Sequence, residues 1–335
     1  LAEELNEKAF RSTQIFNALY RSGTLHQASN LTSSLIERVL NRYPITAPKV
    51  SKRQLSVDGS EKFLLEVDGG AQVETVLIKQ PNRLTLCVSS QVGCGMACKF
   101  CRTGTMGFRK NLRAGEIIQQ VMLGLEAAKS RGETINNIVF MGMGEPLHNF
   151  ENVKSATLIL TDPQGLGFPS RKITISTVGL VPAISRFMKE VPASLAVSLN
   201  GTTDEVRGAI MPINKAYPLS VLLQTLREFG KSGFGPGSLR SKRGSITIEY
   251  VMLSGVNDSR EDLKRLPQLL TGIPAKVNLI PYNENAGLGF KEPPSTWVNH
   301  WQEELVQRGI MATIRWSRGR DIDAACGQLV SSNLI

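Results

Sequence analysis

Leu84-Thr85-Leu86-Cys87-Val88-Ser89-Ser90-Gln91-Val92-Gly93-Cys94-Gly95-Met96-Ala97-Cys98-Lys99-Phe100-Cys101 is a short apolar run followed at once by three closely spaced cysteines. Leu84–Ser89 has the length and composition of a buried β-strand. Six similar runs follow it: Ile138–Met141, Ile173–Ser176, Leu195–Leu199, Ile246–Met252, Val277–Pro281 and Thr313–Trp316. Helical periodicity fills the gaps, most clearly at Ile117, Ile118, Val121, Met122 and Leu125, and again from Leu219 to Phe229. Val/Ile-rich strands alternating with helices predict an α/β chain with a parallel sheet, as a full barrel, a partial barrel or an open doubly wound sheet. In each of these, ligands sit beyond the carboxyl ends of the strands.

Residues able to do chemistry do follow the strands. Cys94 to Cys101 come after the first, and Gly142-Met143-Gly144-Glu145-Pro146 after the second. Ser176 ends the third, Ser198-Leu199-Asn200 ends the fourth, and Asn283 lies just past the sixth. Upstream, residues 1–48 read as a helical piece. Ile15, Phe16, Leu19 and Tyr20 repeat with helical spacing, as do Leu35, Ile36, Val39 and Leu40, with Thr32 or Ser33 as an N-cap. A piece this short buries little core and should dock on the rest. Residues 49–83 change to short β-like runs, with turns at Asp58-Gly59 and Asp68-Gly69-Gly70. Three regions are therefore expected: 1–48, 49–83 and a catalytic 84–335.

The chain has 335 residues, 41% hydrophobic and 20% charged, the profile of a globular protein and not of a disordered or fibrous one. It contains no apolar run of the roughly 18 residues needed to span a membrane. Lys and Arg outnumber Asp and Glu by 39 to 29, which favours a polyanionic partner. The excess falls in patches at Arg109, Lys110 and Arg113, at Arg240, Lys242 and Arg243, and at Arg315, Arg318 and Arg320. Each patch reads equally as a solvated face or as a grip on phosphates. The glycine-rich basic stretch Gly235–Arg243 is a candidate RNA loop.

Five cysteines are too few for a disulfide scaffold and fit a reducing compartment. The expectation is the cytoplasm, or an organelle where an upstream transit segment has been removed. Three thiolates at Cys94, Cys98 and Cys101 can hold three irons of a cubane and leave the fourth iron open for a substrate. A structural zinc site, completed by Cys87 or by one of His26, His148 and His300, is the competing reading and would suit a non-catalytic RNA-binding protein. The cubane is favoured because zinc sites usually pair two cysteine knuckles and the histidines lie far off in sequence.

The triplet, with Phe100 before its last cysteine, resembles the signature of the radical S-adenosylmethionine superfamily. Leu86–Cys94, Gly142-Met-Gly-Glu-Pro-Leu147 and Asp321-Ile-Asp-Ala-Ala-Cys326-Gly-Gln-Leu329 occur in that order. Together they resemble the RlmN/Cfr family of adenosine methyltransferases, over nearly the whole chain. The resemblance implies a partial (βα)6-type barrel with an N-terminal helical domain that adds RNA grip and a small β extension. It implies a [4Fe-4S] cluster on Cys94, Cys98 and Cys101, and S-adenosylmethionine, two per turnover. Gly144, Glu145, Ser176, Ser198, Leu199, Asn200 and Asn283 fall at positions that contact the sulfonium cofactor. At position 200 the family usually has histidine, so a backbone contact should survive and an imidazole contact be lost.

The same resemblance assigns catalysis to Cys326, Cys87 and Glu74. Cys326 would carry a methyl group and become crosslinked to the RNA, Glu74 would accept a proton, and Cys87 would release the product through a transient disulfide. Arg318 and Arg320 are candidates to favour the Cys326 thiolate. The implied substrate is an adenosine of 23S ribosomal RNA in the peptidyl-transferase centre, with transfer RNA as a second substrate. The target is C2 in the RlmN branch and C8 in the Cfr branch, and C2 is favoured as the common housekeeping reaction. An unidentified one-electron donor, no membrane and a monomeric state complete the expectation. An adenine in folded RNA must also be exposed or flipped for the reaction.

Overall fold

The computed structural model describes residues 1–21, 25–44, 48–232, 246–285 and 287–330. Helices α1 (Phe10–Arg21) and α2 (Ser33–Arg42) come first. Thr32 is the N-cap of α2, its hydroxyl accepting a hydrogen bond from the Leu35 amide at 3.3 Å. Ile15, Ala18, Leu35, Ile36 and Val39 form a small apolar cluster of their own. Phe16 and Tyr20 do a different job on the opposite side of α1. Their rings meet edge to face at 4.7 Å, and Tyr20 packs on the main core. Gly165 leaves room for the Phe16 ring, since a Cβ there would stand 2.8 Å from it. The helical piece thus docks on the body through α1.

An antiparallel meander follows: β1 (Lys49–Leu55), β2 (Glu61–Glu66), β3 (Gln72–Gln80) and β4 (Arg83–Cys87). Next come the short pair β5 (Gln91–Gly93) and β6 (Phe108–Asn111), the one-turn α3 (Arg102–Thr105) between them, and α4 (Ala114–Ser130). The remaining order is β7 (Asn137–Phe140), α5 (Phe150–Thr161), β8 (Ile173–Thr177), α6 (Val181–Glu190), β9 (Ser194–Ser198), α7 (Asp204–Ile210) and α8 (Leu219–Ser232). Then follow β10 (Ile246–Met252), α9 (Arg260–Leu269), β11 (Ala275–Pro281), α10 (Ser295–Gln307) and β12 (Ala312–Ile314).

Ten strands make one sheet in the order β1-β2-β3-β4-β7-β8-β9-β10-β11-β12, parallel from β4 onward. All seven strands expected after residue 83 are present. Residues 49–83 continue the same sheet antiparallel, with Val76 of β3 opposite Cys87 of β4. Ends of strands from β7 to β11 line one cavity, so the sheet curls into a partial barrel. Its core is aliphatic and continuous from Phe63 to Leu329, with Trp301 of α10 fully buried against Tyr250. Among the described residues no helix is long and apolar enough to cross a membrane.

Two of the seven loops beyond the strands are fixed by one side chain. Asn257, fully buried after β10, donates to the Asn200 carbonyl at 2.9 Å and the Val251 carbonyl at 2.7 Å, and accepts from the Leu253 amide at 2.7 Å. Asn257→Ala would leave two carbonyls and an amide unpaired, at about 1–3 kcal/mol for each buried group before relaxation. The expected loss of stability is about 2–4 kcal/mol in a denaturant melt. A change below about 0.5 kcal/mol would show that these bonds do not fix the loop.

Candidate active site

A cavity open to solvent lies at the carboxyl rim of the sheet. Cys94, Cys98, Cys101, Gly144, Glu145, Ser176, Ser198, Asn200, Asn283 and Cys326 all line it. The strand-end rule therefore gathers ten of the thirteen expected site residues. Leu199, Cys87 and Glu74 are not among the lining residues.

The cysteine loop is closed at its base by β5 and β6. The Cys94 amide donates to the Gly107 carbonyl at 2.9 Å, and Gly93 adopts φ +70° with that oxygen where a Cβ would stand. Inside the loop Ala97 has φ +52°, the Cys101 amide donates to the Cys98 carbonyl at 3.2 Å, and Gly104 sits too close to Cys98 for any side chain. All five cysteines are free thiols. Desolvation first, then Glu145 and Cys101, pushes Cys94 up to about 12; desolvation, then Cys101 and Cys94, raises Cys98 well above an ordinary thiol; burial also raises Cys101. Such thiols release their protons only to a cation that binds sulfur strongly.

Among the described residues, no three His, Cys, Asp or Glu side chains converge on one point as a single metal ion requires. Three thiols spread around a cavity instead suit a multinuclear cluster in which each iron takes one sulfur. The fourth ligands considered for zinc lie elsewhere. His148 is bonded to Gln91 at 2.9 Å, His300 is exposed and stacked on Trp297, and Cys87 sits beside Cys326 and Arg315.

The rest of the wall offers bare backbone, a buried carboxyl and one polar atom without a partner. Gly144 has φ +99°, and a Cβ on it would overlap Gln91, so the chain there presents bare backbone. Glu145 accepts from the Leu147 amide at 3.0 Å and the Val178 amide at 2.9 Å, and burial lifts its carboxyl to about 7. An ammonium group brought beside it would hold it ionised. Asn283 donates to the Cys326 carbonyl at 3.1 Å, while its buried Oδ1 has no partner. That orphan acceptor fits the exocyclic amine of an adenine. Asn200, in the left-handed region at φ +52°, spends its amide on the Val251 N–H and on Met211. Leu199 is fully buried and acts only through its backbone, its carbonyl taking Arg207 Nε at 2.9 Å.

The C-terminal segment closes the cavity. Asp321 accepts from Ser56 at 2.6 Å and from the Val57 amide at 3.1 Å, and the Gly319 amide donates to Asp58 at 2.8 Å. The Gly327 carbonyl takes the Arg102 amide at 2.9 Å and the Leu329 carbonyl takes Thr103 at 2.7 Å. Held so, Cys326 lies within reach of Cys87 electrostatically, and the charge of Arg315 acts on both thiols. Burial raises both thiols, Cys87 to about 12, and Arg315 is the largest influence opposing that rise.

Several sequence expectations change here. Arg320 does not serve Cys326: it forms a two-bond pair with Glu292 at 2.7 and 2.9 Å, and Arg318 is exposed. Lys110 and Arg113 are engaged by Glu116 and Asp68, so that patch retains Arg109 as its unengaged cation among the described residues. Arg240, Lys242 and Arg243 lie outside the described residues. Glu74 is buried, not solvent-facing, paired with Lys62 at 2.8 Å and accepting from the Val330 amide at 2.8 Å. Glu249 went unnoticed in the sequence; it is a buried carboxyl on the cavity wall, bonded to Asn278 at 2.9 Å. Its signal was a lone charge inside the apolar strand Ile246–Met252.

Comparisons with known proteins agree with this geometry. The family model described as the radical SAM superfamily matches residues 88–266. A dual-specificity RNA methyltransferase RlmN of Anaeromyxobacter dehalogenans is 46% identical, the match covering 98% of this chain and 87% of that protein. One from Geobacter sulfurreducens is 45% identical, over 96% of this chain and 86% of the other. The crystal structure of a radical SAM methyltransferase from Sphaerobacter thermophilus superposes with a TM-score of 0.90 at 38% identity, over 98% of this chain and 95% of that one. With similarity running through the cysteine loop and both flanking segments, the chain belongs to the radical SAM superfamily and, within it, to the RlmN family of RNA methyltransferases.

Proposed function

We propose that the enzyme methylates C2 of an adenosine in 23S ribosomal RNA, and an adenosine of transfer RNA as a second substrate, through a methylated Cys326 and a transient protein–RNA crosslink. The observation that carries this reading is that Cys326 and Cys87, far apart as they are in sequence, come close enough for the charges of Cys326 and Arg315 to act on Cys87 and for Arg315 to act on both thiols. That the enzyme acts on RNA, and on more than one kind, is supported by the description of its relatives as dual-specificity RNA methyltransferases. Both thiols must stay reduced between turnovers, so we place the enzyme in the cytoplasm.

Cys94, Cys98 and Cys101 would hold the [4Fe-4S] cluster, and Glu145, Ser176, Ser198, Asn200 and Asn283 the sulfonium cofactor. When bound, cluster and cofactor would supply the methyl group and, after one-electron reduction by an external donor, a carbon-centred adenosyl radical. Cys326 performs the first step, as its thiolate displaces the methyl group from sulfur. After its S-methyl group gives a hydrogen atom to that radical, the Cys326 S-methylene adds to the adenine carbon and binds enzyme to RNA, and the adduct radical gives up one electron, which the oxidised cluster would take back. Glu74 takes the proton from that carbon; burial has raised its carboxyl, which brings it towards the range useful for a base. The Cys87 thiolate then attacks the Cys326 sulfur. The S–S bond forms as the sulfur–methylene bond breaks, and the freed carbon is protonated to a methyl group.

Trp316, Arg318 and Arg109 are exposed and would offer contacts to an incoming RNA. Trp316, 43% exposed directly after Arg315, offers a face for a nucleobase. The N-terminal helices would add grip to the rest of the RNA.

The test is an anaerobic assay of the reconstituted enzyme with methyl-deuterated cofactor and ribosomal or transfer RNA. Nucleoside mass spectrometry should show 2-methyladenosine whose methyl retains two donor deuterons. Exclusive 8-methyladenosine would overturn the choice of carbon, and a methyl with all three deuterons would overturn the route through Cys326. In the same assay Cys87→Ala should leave protein covalently joined to RNA, visible as a shifted band that nuclease digestion trims. Arg315→Gln removes the cation that opposes the raised Cys326 thiol, so methylation of Cys326 at pH 7 should slow by about tenfold for each unit the thiol rises. Because the thiolate is the nucleophile, that rate should recover as pH rises towards 9 and above; a pH-independent deficit would show that Arg315 acts in another way.

A further inference from the structure

Arg207 on α7 is fully buried, 0% exposed, yet none of its hydrogen bonds goes to a carboxylate. Nε donates to the Leu199 carbonyl at 2.9 Å, Nη2 to the carbonyls of Val178 at 2.7 Å and Ser198 at 3.4 Å, and Nη1 to Asn214 Oδ1 at 2.9 Å. The carboxylate on the same helix, Asp204, stands at one remove. It accepts from Asn214 at 2.9 Å and from the Leu219 amide at 2.8 Å, on an exposed residue. A cation taken out of water is costly unless an opposite charge faces it.

The fold shows where that charge belongs. One turn beyond Arg207, α7 ends at Ile210, whose carbonyl takes the Lys99 amide at 2.9 Å inside the cysteine loop. Ile210 packs with Cys98 and Phe100. On the other side Val178, held by Arg207, gives its N–H to Glu145. Arg207 is thus braced between the cysteine loop and the cofactor wall. Burial draws its pKa down to about 10, and Cys98 opposes that fall more than Asp204 does.

We infer that Arg207 is a positioning residue whose counter-charge is the cluster on Cys94, Cys98 and Cys101, and that its fixed positive charge raises the cluster's reduction potential. Reduction of the core from 2+ to 1+ takes one electron from a low-potential donor and adds one negative charge, with no bond made or broken. A cation held in a poorly screened interior stabilises the more negative state. The inference rests on the cluster assignment.

The experiment is a mediated titration of the reconstituted enzyme with dithionite, the reduced cluster read by electron paramagnetic resonance beside iron and sulfide content. Arg207→Gln keeps hydrogen-bonding groups and removes the charge. Its reduction equilibrium should fall about tenfold, a shift of about 59 mV for one electron. Arg207→Lys keeps the charge and should stay within about threefold of the wild type. If Arg207→Gln fails to fold or to take up iron, Asp204→Asn decides: it preserves the local bonds and leaves Arg207 less compensated, so the equilibrium should rise two- to threefold. An unchanged potential in iron-replete Arg207→Gln, an equal fall in Arg207→Lys, or no rise in Asp204→Asn would overturn the inference. A wild-type protein that takes up no iron would instead overturn the cluster assignment.

Discussion

Cys326 reaches Cys87 only because the chain after β12 is tied down over the rim of the sheet at both ends of its span. Asp321 and Gly319 bind it to the β1–β2 turn, and Gly327 and Leu329 bind it to the cysteine loop. Nearly all of these bonds use a backbone group on one side, so they fix the path of the chain more than they bury surface. The antiparallel strands β1–β3 gain a role from this. They supply the turn at Ser56–Asp58 that the tail grips, as well as Lys62, which donates to the Asp323 carbonyl at 3.1 Å. Without that lateral extension a parallel barrel would have an open side where Cys326 now sits.

Desolvation governs the chemistry of the enclosed groups. Every thiol at the site is raised by burial, and so are Glu74, Glu145 and Glu249. Groups held this way are reluctant to ionise alone and do so when a cation arrives beside them. The two interior arginines divide the task by position. Arg315 acts through its charge on Cys87, Cys326 and Glu249, and Arg207 interacts with Cys98 from the side of the cysteine loop.

The fold was largely legible in the sequence because a parallel strand buried on both faces has to be written in Val, Ile and Leu, and the runs from Leu84 to Trp316 are. The rim residues were legible for a related reason: parallel strands all end on the same side, so polar groups placed just after them converge. Pairing between charges was not legible. Lys110 and Arg113 read as a basic patch until Asp68 and Glu116 are seen beside them, and Arg320 read as a partner for Cys326 until Glu292 claims it. Arg207 gave no signal, since a lone Arg in a short amphipathic helix reads as a surface residue. The burial of Glu74 was not legible, because strand alternation tells which residues share a face but not that Val330, far along the chain, covers that face.

That covering bears on how the proposed reaction proceeds. Both oxygens of Glu74 are already occupied, one by Lys62 and the other by the Val330 amide, and the carboxyl lies off the cavity wall. As it stands Glu74 neither touches the cavity nor has an oxygen free for a proton. If Glu74 is the base, the last residues of the tail must let go of it before the crosslinked adenine can be deprotonated. The contact to be broken is a single backbone hydrogen bond to a carboxylate, worth about 1.5–3 kcal/mol, whereas the bonds around Gly327 and Asp321 can remain. Release at Val330 with retention at Gly327 would free the base while keeping Cys326 beside Cys87, which is the sequence of events that a crosslink formed before proton loss demands.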